Sequence, residues 1–236
     1  MAELAVADGI GTVVATPHQL GAFPGLDGQT IRAAAAAFQQ ALRQRRIPLR
    51  VVPGGELHVE PELIARLQQG YLLSLADQGR HVLLELPAEV CLPLERVLEQ
   101  LARLGKTGIL AHPERNHALL SQPRILDDWV NIGCLVQITA GSLLGTFGPH
   151  VQGYAERLIQ RGQVHFVASD AHGPNRRRPL LRRAFERVVR LADEPTAVAL
   201  FCRNPADVVV GRSVEHAHAP PKARRSTGWL PWRKAS

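Results

Sequence analysis

Cysteine is scarce: Cys91, Cys134 and Cys202 are the only three in 236 residues, and no two form a CxxC pair. That excludes a disulfide framework and a thiolate zinc site, so the three are expected to be small buried hydrophobes. None has arginine six positions on, where Val97, Ala140 and Val208 stand, so the thiolate mechanism of cysteine phosphatases is absent. No apolar run approaches the ~18 residues of a membrane span. Met1 is followed by Ala-Glu-Leu rather than by a basic segment, so a cytoplasmic location is expected. Gly105-Lys106-Thr107 ends like a phosphate-binding loop, but position 100 is glutamine and the stretch leads from helix to strand, the wrong order. Gly141-Ser142 lacks the Gly-x-Ser-x-Gly of a nucleophile elbow, and motifs that read bases are missing, so no specific nucleic acid is expected.

What is present is a chain that is 45% hydrophobic, enough to bury a full core as one large α/β domain or two small ones. The net charge of +7 is uneven. From Arg176 onward there are fourteen Lys and Arg against five Asp and Glu, so the preceding part is slightly acidic. Arg176-Arg177-Arg178 and Lys222-Ala-Arg224-Arg225 read as solvated charge, although such blocks also suit anionic surfaces.

Helical and extended patterns alternate. MAELAVADG reads as the second half of a helix closed by Gly9, and TVVATPHQ (12 to 19) as a buried strand. TIRAAAAAFQQALRQRR (30 to 46) is a helix that Thr30 can cap, with basic residues at its end. The strand LRVVPGGE (49 to 56), the short helix PELIARLQQ (61 to 69) and the strand RHVLLELP (80 to 87) follow. Helices near 93–104, 123–131 and 149–161 then precede TGILAHPER, CLVQITAG and VHFVASDAH. Near 179–192 an amphipathic helix sets Leu180, Leu181, Ala184, Phe185, Val188 and Val189 on one side. Six uniformly apolar strands separated by helices predict a parallel sheet covered on both faces, in a barrel or a doubly wound fold. Residues 1–212 would form the domain. The tail, 213–236, is rich in His, Pro and basic residues and has no periodicity, so it is expected to be disordered or peripheral.

In parallel α/β folds ligands gather at the carboxyl ends of the strands. Those ends carry His18, Glu56, Glu85, His112, and Asp170 with His172; only CLVQITAG ends without an ionisable group. Three imidazoles and three carboxylates, with no thiolate, are the donor set of a mixed nitrogen–oxygen site for Mn, Fe or Zn in a hydrolytic role. An acid inside VLLELP would cost several kcal/mol if buried alone, so a cation beside Glu85 is the economical reading, and Glu85 could bridge two ions. Arg115 is a candidate phosphate clamp, its alternative being an ion pair with Glu114. His58, His81, His117, His150 and His165 are assigned surface or structural roles.

ATPH (15 to 18), PGGE (53 to 56), LLELP (83 to 87), AHPERN (111 to 116), QITAGSLLGTFG (137 to 148) and HFVASDAH (165 to 172) together resemble one family. It is the bacterial metal-dependent protein-tyrosine phosphatases of capsular and exopolysaccharide loci, the CpsB/CapC type, within the PHP (polymerase and histidinol phosphatase) superfamily. The resemblance implies a distorted (β/α)7 barrel and a three-metal site usually associated with manganese. It makes His18, Glu56, Glu85, His112, Asp170 and His172 metal ligands, gives Arg115 the phosphate, and places Arg115, Asp170 and His172 in the catalytic set. A metal-activated water would hydrolyse phosphotyrosine on a protein, the expected partner being a membrane-associated tyrosine kinase that controls polysaccharide export. Members begin with a strand bearing His-x-His and an Asp-rich loop; this chain starts after that point, so the first barrel strand is expected to be missing and full metal occupancy to depend on it. Alternatives are another phosphoesterase of the superfamily, acting on histidinol phosphate or a nucleotide, or a regulatory binding protein that does not turn over substrate. Trp229 and Trp232 beside Arg233 and Lys234 suit weak contact of the tail with a membrane surface.

Overall fold

The computed structural model describes residues 1–87 and 89–214. The expectations placed on Lys222, Arg224, Arg225, Trp229, Trp232, Arg233 and Lys234 lie outside the described residues.

Helix α1 (Ala2–Ala7) closes at Gly9, whose φ of 97° is a conformation suited to glycine. Strand β1 (Thr12–Ala15) runs toward Pro17, which has no N–H to give a ladder, and the chain resumes as β2 (His18–Gln19). The next strand is likewise in two pieces, β3 (Arg50–Pro53) and β4 (Glu56–His58). Each of the two extended stretches expected at 12–19 and 49–56 is therefore broken. The breaks serve close packing: a Cβ on Gly55 would collide with the Gln19 amide oxygen, and one on Gly54 would lie 2.8 Å from Val14 Cγ1.

Strand β1 pairs with β3 in a small two-stranded sheet. Strands β2 and β4 belong to a six-stranded sheet with β5 (His81–Glu85), β6 (Thr107–Ala111), β7 (Leu135–Thr139) and β8 (Phe166–Ala168), in the order β2-β4-β5-β6-β7-β8. Every pairing is parallel, as the apolar runs predicted.

Helix α2 (Gly28–Gln44) starts earlier than expected, because Asp27 and not Thr30 caps it: its carboxylate accepts from Thr30 N at 2.8 Å. The shorter α3 (Leu63–Gln68), α4 (Glu95–Arg103), α5 (His117–Ser121), α6 (Pro123–Asn131), α7 (Ala140–Leu143) and α8 (Pro149–Gln160) follow. Helix α9 (Arg182–Leu191) excludes Leu180 and Leu181, which the amphipathic pattern had included. Asp8 accepts from Leu181 N and Arg182 N at 2.5 and 3.0 Å and so ends the approach to the helix. A π-helical turn, Ala199–Arg203, separates α10 (Glu194–Val198) from α11 (Asn204–Val209).

The strands are apolar on both faces because both are covered. Val82, Leu84, Leu110, Val136, Ile138 and Val167 pack toward the helices with Trp129, Tyr154, Leu158 and Val188. Leu83, Ile109, Leu135 and Phe166 alternate with them and form an inner cluster with Leu75 and Val208. Of the cysteines, Cys134 is buried and its thiol is pushed up to about 12 by that burial, but Cys91 is half-buried and Cys202 exposed. The expectation of three buried cysteines is thus corrected: Cys202 sits on the outward side of a turn whose Ala199 and Leu200 point in.

Candidate metal centre

Parallel register assembles the donors. His18 lies opposite Glu56, and His58 lies opposite Glu85. Side chains alternate along a strand, so Glu56 and His58 share one face of β4, and Glu85 shares the inner face of β5 with Leu83. Behind His18, the fully buried Gln19 accepts from Leu73 N at 2.9 Å and donates to Leu26 O at 2.9 Å and Tyr71 O at 3.2 Å, which fixes this short strand in place.

Alternation alone would turn His112 outward, since Ile109 and Ala111 point in. The backbone corrects this at His112 itself, with φ 35° and ψ 50°, a left-handed conformation that costs a non-glycine residue about 1–2 kcal/mol. Its N–H is held by Gln137 O at 2.7 Å. The imidazole Nε2 then lies 3.0 Å from Glu56 Oε1 and 3.5 Å from Glu85 Oε1. Burial disfavours the charged imidazole, but the hydrogen bond with Glu56 and the adjacent carboxylates outweigh it, and the pKa of His112 is raised.

Glu56, Glu85 and His112 bring ligand atoms within 4.8 Å of one another. His18 Nδ1 adds a fourth donor, 3.2 Å from Glu85 Oε2 and 3.5 Å from Glu56 Oε2. That nitrogen is buried and, among the described residues, has no hydrogen-bond partner of proper geometry. Two donors each about 2.1 Å from one ion and at right angles stand about 3 Å apart. The spacings of 3.0 to 3.5 Å therefore fit a shared cation, and so does an orphaned nitrogen aimed at two carboxylates.

Asp170 and His172 reach the same rim but not the same tight group. Asp170 follows β8 in a left-handed conformation, φ 48°, and its Oδ2 accepts from Arg115 Nη1 at 2.5 Å and from Arg177 Nη2. His172 Nδ1 lies 3.0 Å from Asp170 O, and its ring is 6.4 Å from that of His18. Both guanidinium groups stand over Phe147, at 4.7 Å for Arg115 and 6.0 Å for Arg177. Arg115 also lines one small cavity with Glu85 and His112. Arg115 does not pair with Glu114, which is fully buried and accepts from Thr139 N at 2.8 Å and Ser142 Oγ at 2.7 Å. That contact ties the one strand end without an ionisable group, β7, to the His112 turn.

Two residues were missed in the sequence. His58 Nδ1 is 3.7 Å from Glu85 Oε2, so it belongs beside the cluster and not among the surface histidines. The i, i+2 spacing of Glu56 and His58 was the available signal. Arg177 was read as part of a solvated basic block, yet only its neighbours Arg176 and Arg178 are exposed. His81 and His165 are buried at the amino ends of β5 and β8, away from this rim.

Fold and site together define a parallel α/β protein whose strands carry, at their carboxyl ends, a cluster of nitrogen and oxygen donors that could hold a metal ion. The chain belongs to the family described as "Capsular polysaccharide synthesis, CpsB/CapC", whose sequence model matches residues 1–210. Tyrosine-protein phosphatase YwqE of Bacillus subtilis is 38% identical over 173 residues, 73% of this chain and 68% of that protein. Tyrosine-protein phosphatase CpsB of Streptococcus agalactiae is 27% identical over 167 residues, 68% of each. The fold is that of a crystal structure from work on YwqE of Bacillus subtilis and CpsB of Streptococcus pneumoniae, described as unique metal-dependent tyrosine phosphatases. The TM-score is 0.88 at 31% identity, over 95% of this chain and 90% of that one.

Proposed function

We propose that this chain hydrolyses phosphotyrosine on a protein with the help of divalent metal ions, manganese being the first choice. The observation that carries the reading is the convergence of His18, Glu56, Glu85 and His112 beside two guanidinium groups fixed on Phe147. Family membership supports it, and so do relatives named as tyrosine-protein phosphatases.

In this reading His18, Glu56, Glu85 and His112 hold metal, with Asp170 and His172 completing the set and His58 orienting Glu85. Metal ions bound there supply Lewis acidity and lower the pKa of water. Arg115 and Arg177 bind the phosphoryl oxygens through paired N–H donors and offset the charge that spreads over them as the ester bond lengthens. Asp170 accepts from both, which keeps the two forks side by side. The leaving phenolate needs little assistance, since a phenol has a pKa of about 10. The buried carboxylates stay acceptors throughout; no side chain becomes phosphorylated.

The partner in this reading is a tyrosine kinase of capsule or exopolysaccharide synthesis, met in the cytoplasm. No helix among the described residues is long and apolar enough to cross a membrane. The test is release of phosphate from a phosphotyrosyl peptide by the chain with Mn2+ and after chelation. Turnover that survives chelation, or faster turnover of histidinol phosphate or a nucleotide, would overturn the reading.

A further inference from the structure

Phe23 stands at the edge of the site and is 53% exposed. One face of its ring lies over His18, with centroids 6.2 Å apart and planes inclined by 15°. A single exposed apolar residue is unremarkable in itself, but this one is presented by a loop built to hold it. Leu20 is buried at φ 72° and bridges to Phe23, whose N–H donates to Leu20 O at 2.9 Å. Arg66 Nη1 donates to Pro24 O at 3.0 Å, and Gly21 N donates to Glu60 Oε2 at 3.3 Å. Gly21 packs so closely on His58 that a Cβ would come within 3.2 Å of the ring. The loop is tied down on both sides of the phenyl group.

The other phenylalanine of the rim, Phe147, is taken by Arg115 and Arg177. Among the described residues no cation stands over Phe23, and its neighbours lead back to those same two arginines: His18, then the His172 ring at 6.4 Å, then Asp170, which both arginines grip. The rim thus offers an anion-binding pair and, across two imidazoles, an aromatic ring with room beside it.

We propose that Phe23 is the platform for the ring of an aryl phosphate ester whose phosphoryl group meets Arg115 and Arg177. It would then be a specificity residue favouring aryl over alkyl phosphates. This rests on the phosphatase reading and names what selects its substrate. Paired aromatic rings contribute a preference of about 2- to 10-fold beyond area burial.

Phenylphosphonate and methylphosphonate test it, since neither has an ester bond to break. Their affinities for the full chain with Mn2+ are measured by calorimetry, alongside Phe23→Ala and the ring-keeping Phe23→Tyr. The phenyl-over-methyl ratio should fall 2- to 10-fold in Phe23→Ala and hold in Phe23→Tyr. An unchanged ratio in Phe23→Ala, equal weakening of both ligands, or no binding of either by the parent chain overturns the proposal. Phosphotyrosine turnover is assayed separately. A parent chain with a Phe23-dependent ratio that leaves phosphotyrosine intact would sink the phosphatase reading alone.

Discussion

Arg115, at the end of the 3-10 turn Pro113–Arg115, and Arg177, from the loop after β8, close on the same oxygen of Asp170 and stand over the same ring, Phe147. Two fixed cations against one carboxylate leave a net positive charge facing the carboxylate cluster. Arg177→Ala should therefore lower kcat/KM on a phosphotyrosyl peptide about 10- to 100-fold, mostly through KM, with metal content unchanged. Lysine should restore only part, having no fork. Equal kinetics for the parent and Arg177→Ala would remove Arg177 from the site.

Glu56 is the carboxylate that both His18 and His112 approach, and it is buried. Glu56→Gln keeps its shape and removes its charge. Bound manganese, read by elemental analysis after gel filtration, should fall at least about 10-fold, and activity with it. Full metal content in the variant would mean that the cluster is only a hydrogen-bonded network.

The main donors were legible because strand ends can be found from apolar run lengths alone, and His18, Glu56, Glu85 and His112 all sit there. His58 was not, because its inclusion depends on the pairing of β4 with β5, a fact of register that run lengths do not encode. Arg177 hid among other arginines; what distinguishes it is Asp170, reached through a left-handed turn that no periodicity announces. The break at Pro17 was signalled by the missing N–H, whereas the one at Gly54-Gly55 needed the knowledge that Gln19 packs against it. Cap choice failed at Asp27 because Thr30 was equally suitable by residue type.

His81 opens β5 fully buried, with both ring nitrogens unpartnered among the described residues. Burial, helped by Arg80, pushes its pKa from 6.5 down to about 4. The unfolded chain takes up the proton near pH 6.5 and the folded one resists until about 4, so stability is full above that window and falls as pH drops through it. The loss reaches about 3 kcal/mol at its acid end. His81→Leu should show a shallower fall in melting temperature between about pH 7 and pH 5. Groups elsewhere titrate in both proteins, so parallel curves would rule out the buried neutral imidazole.

Glu114 presents the opposite sign. Burial raises its pKa against the hydrogen bonds from Thr139 N and Ser142 Oγ, and its second oxygen, Oε2, has no partner among the described residues. A carboxyl with a raised folded pKa stabilises the fold at acid pH, and that contribution fades as pH rises above the unfolded value. Glu114→Gln keeps an acceptor for Thr139 and Ser142 without a buried charge, so it should be neutral or stabilising at pH 7 in denaturant titration. Glu114→Ala should lose about 2–4 kcal/mol, because it strands two buried donors and opens a cavity beneath the His112 turn. If the glutamine variant were destabilised as much as the alanine one, the negative charge of Glu114 would itself be required, and the carboxylate would have to be paired with a cation at this strand end.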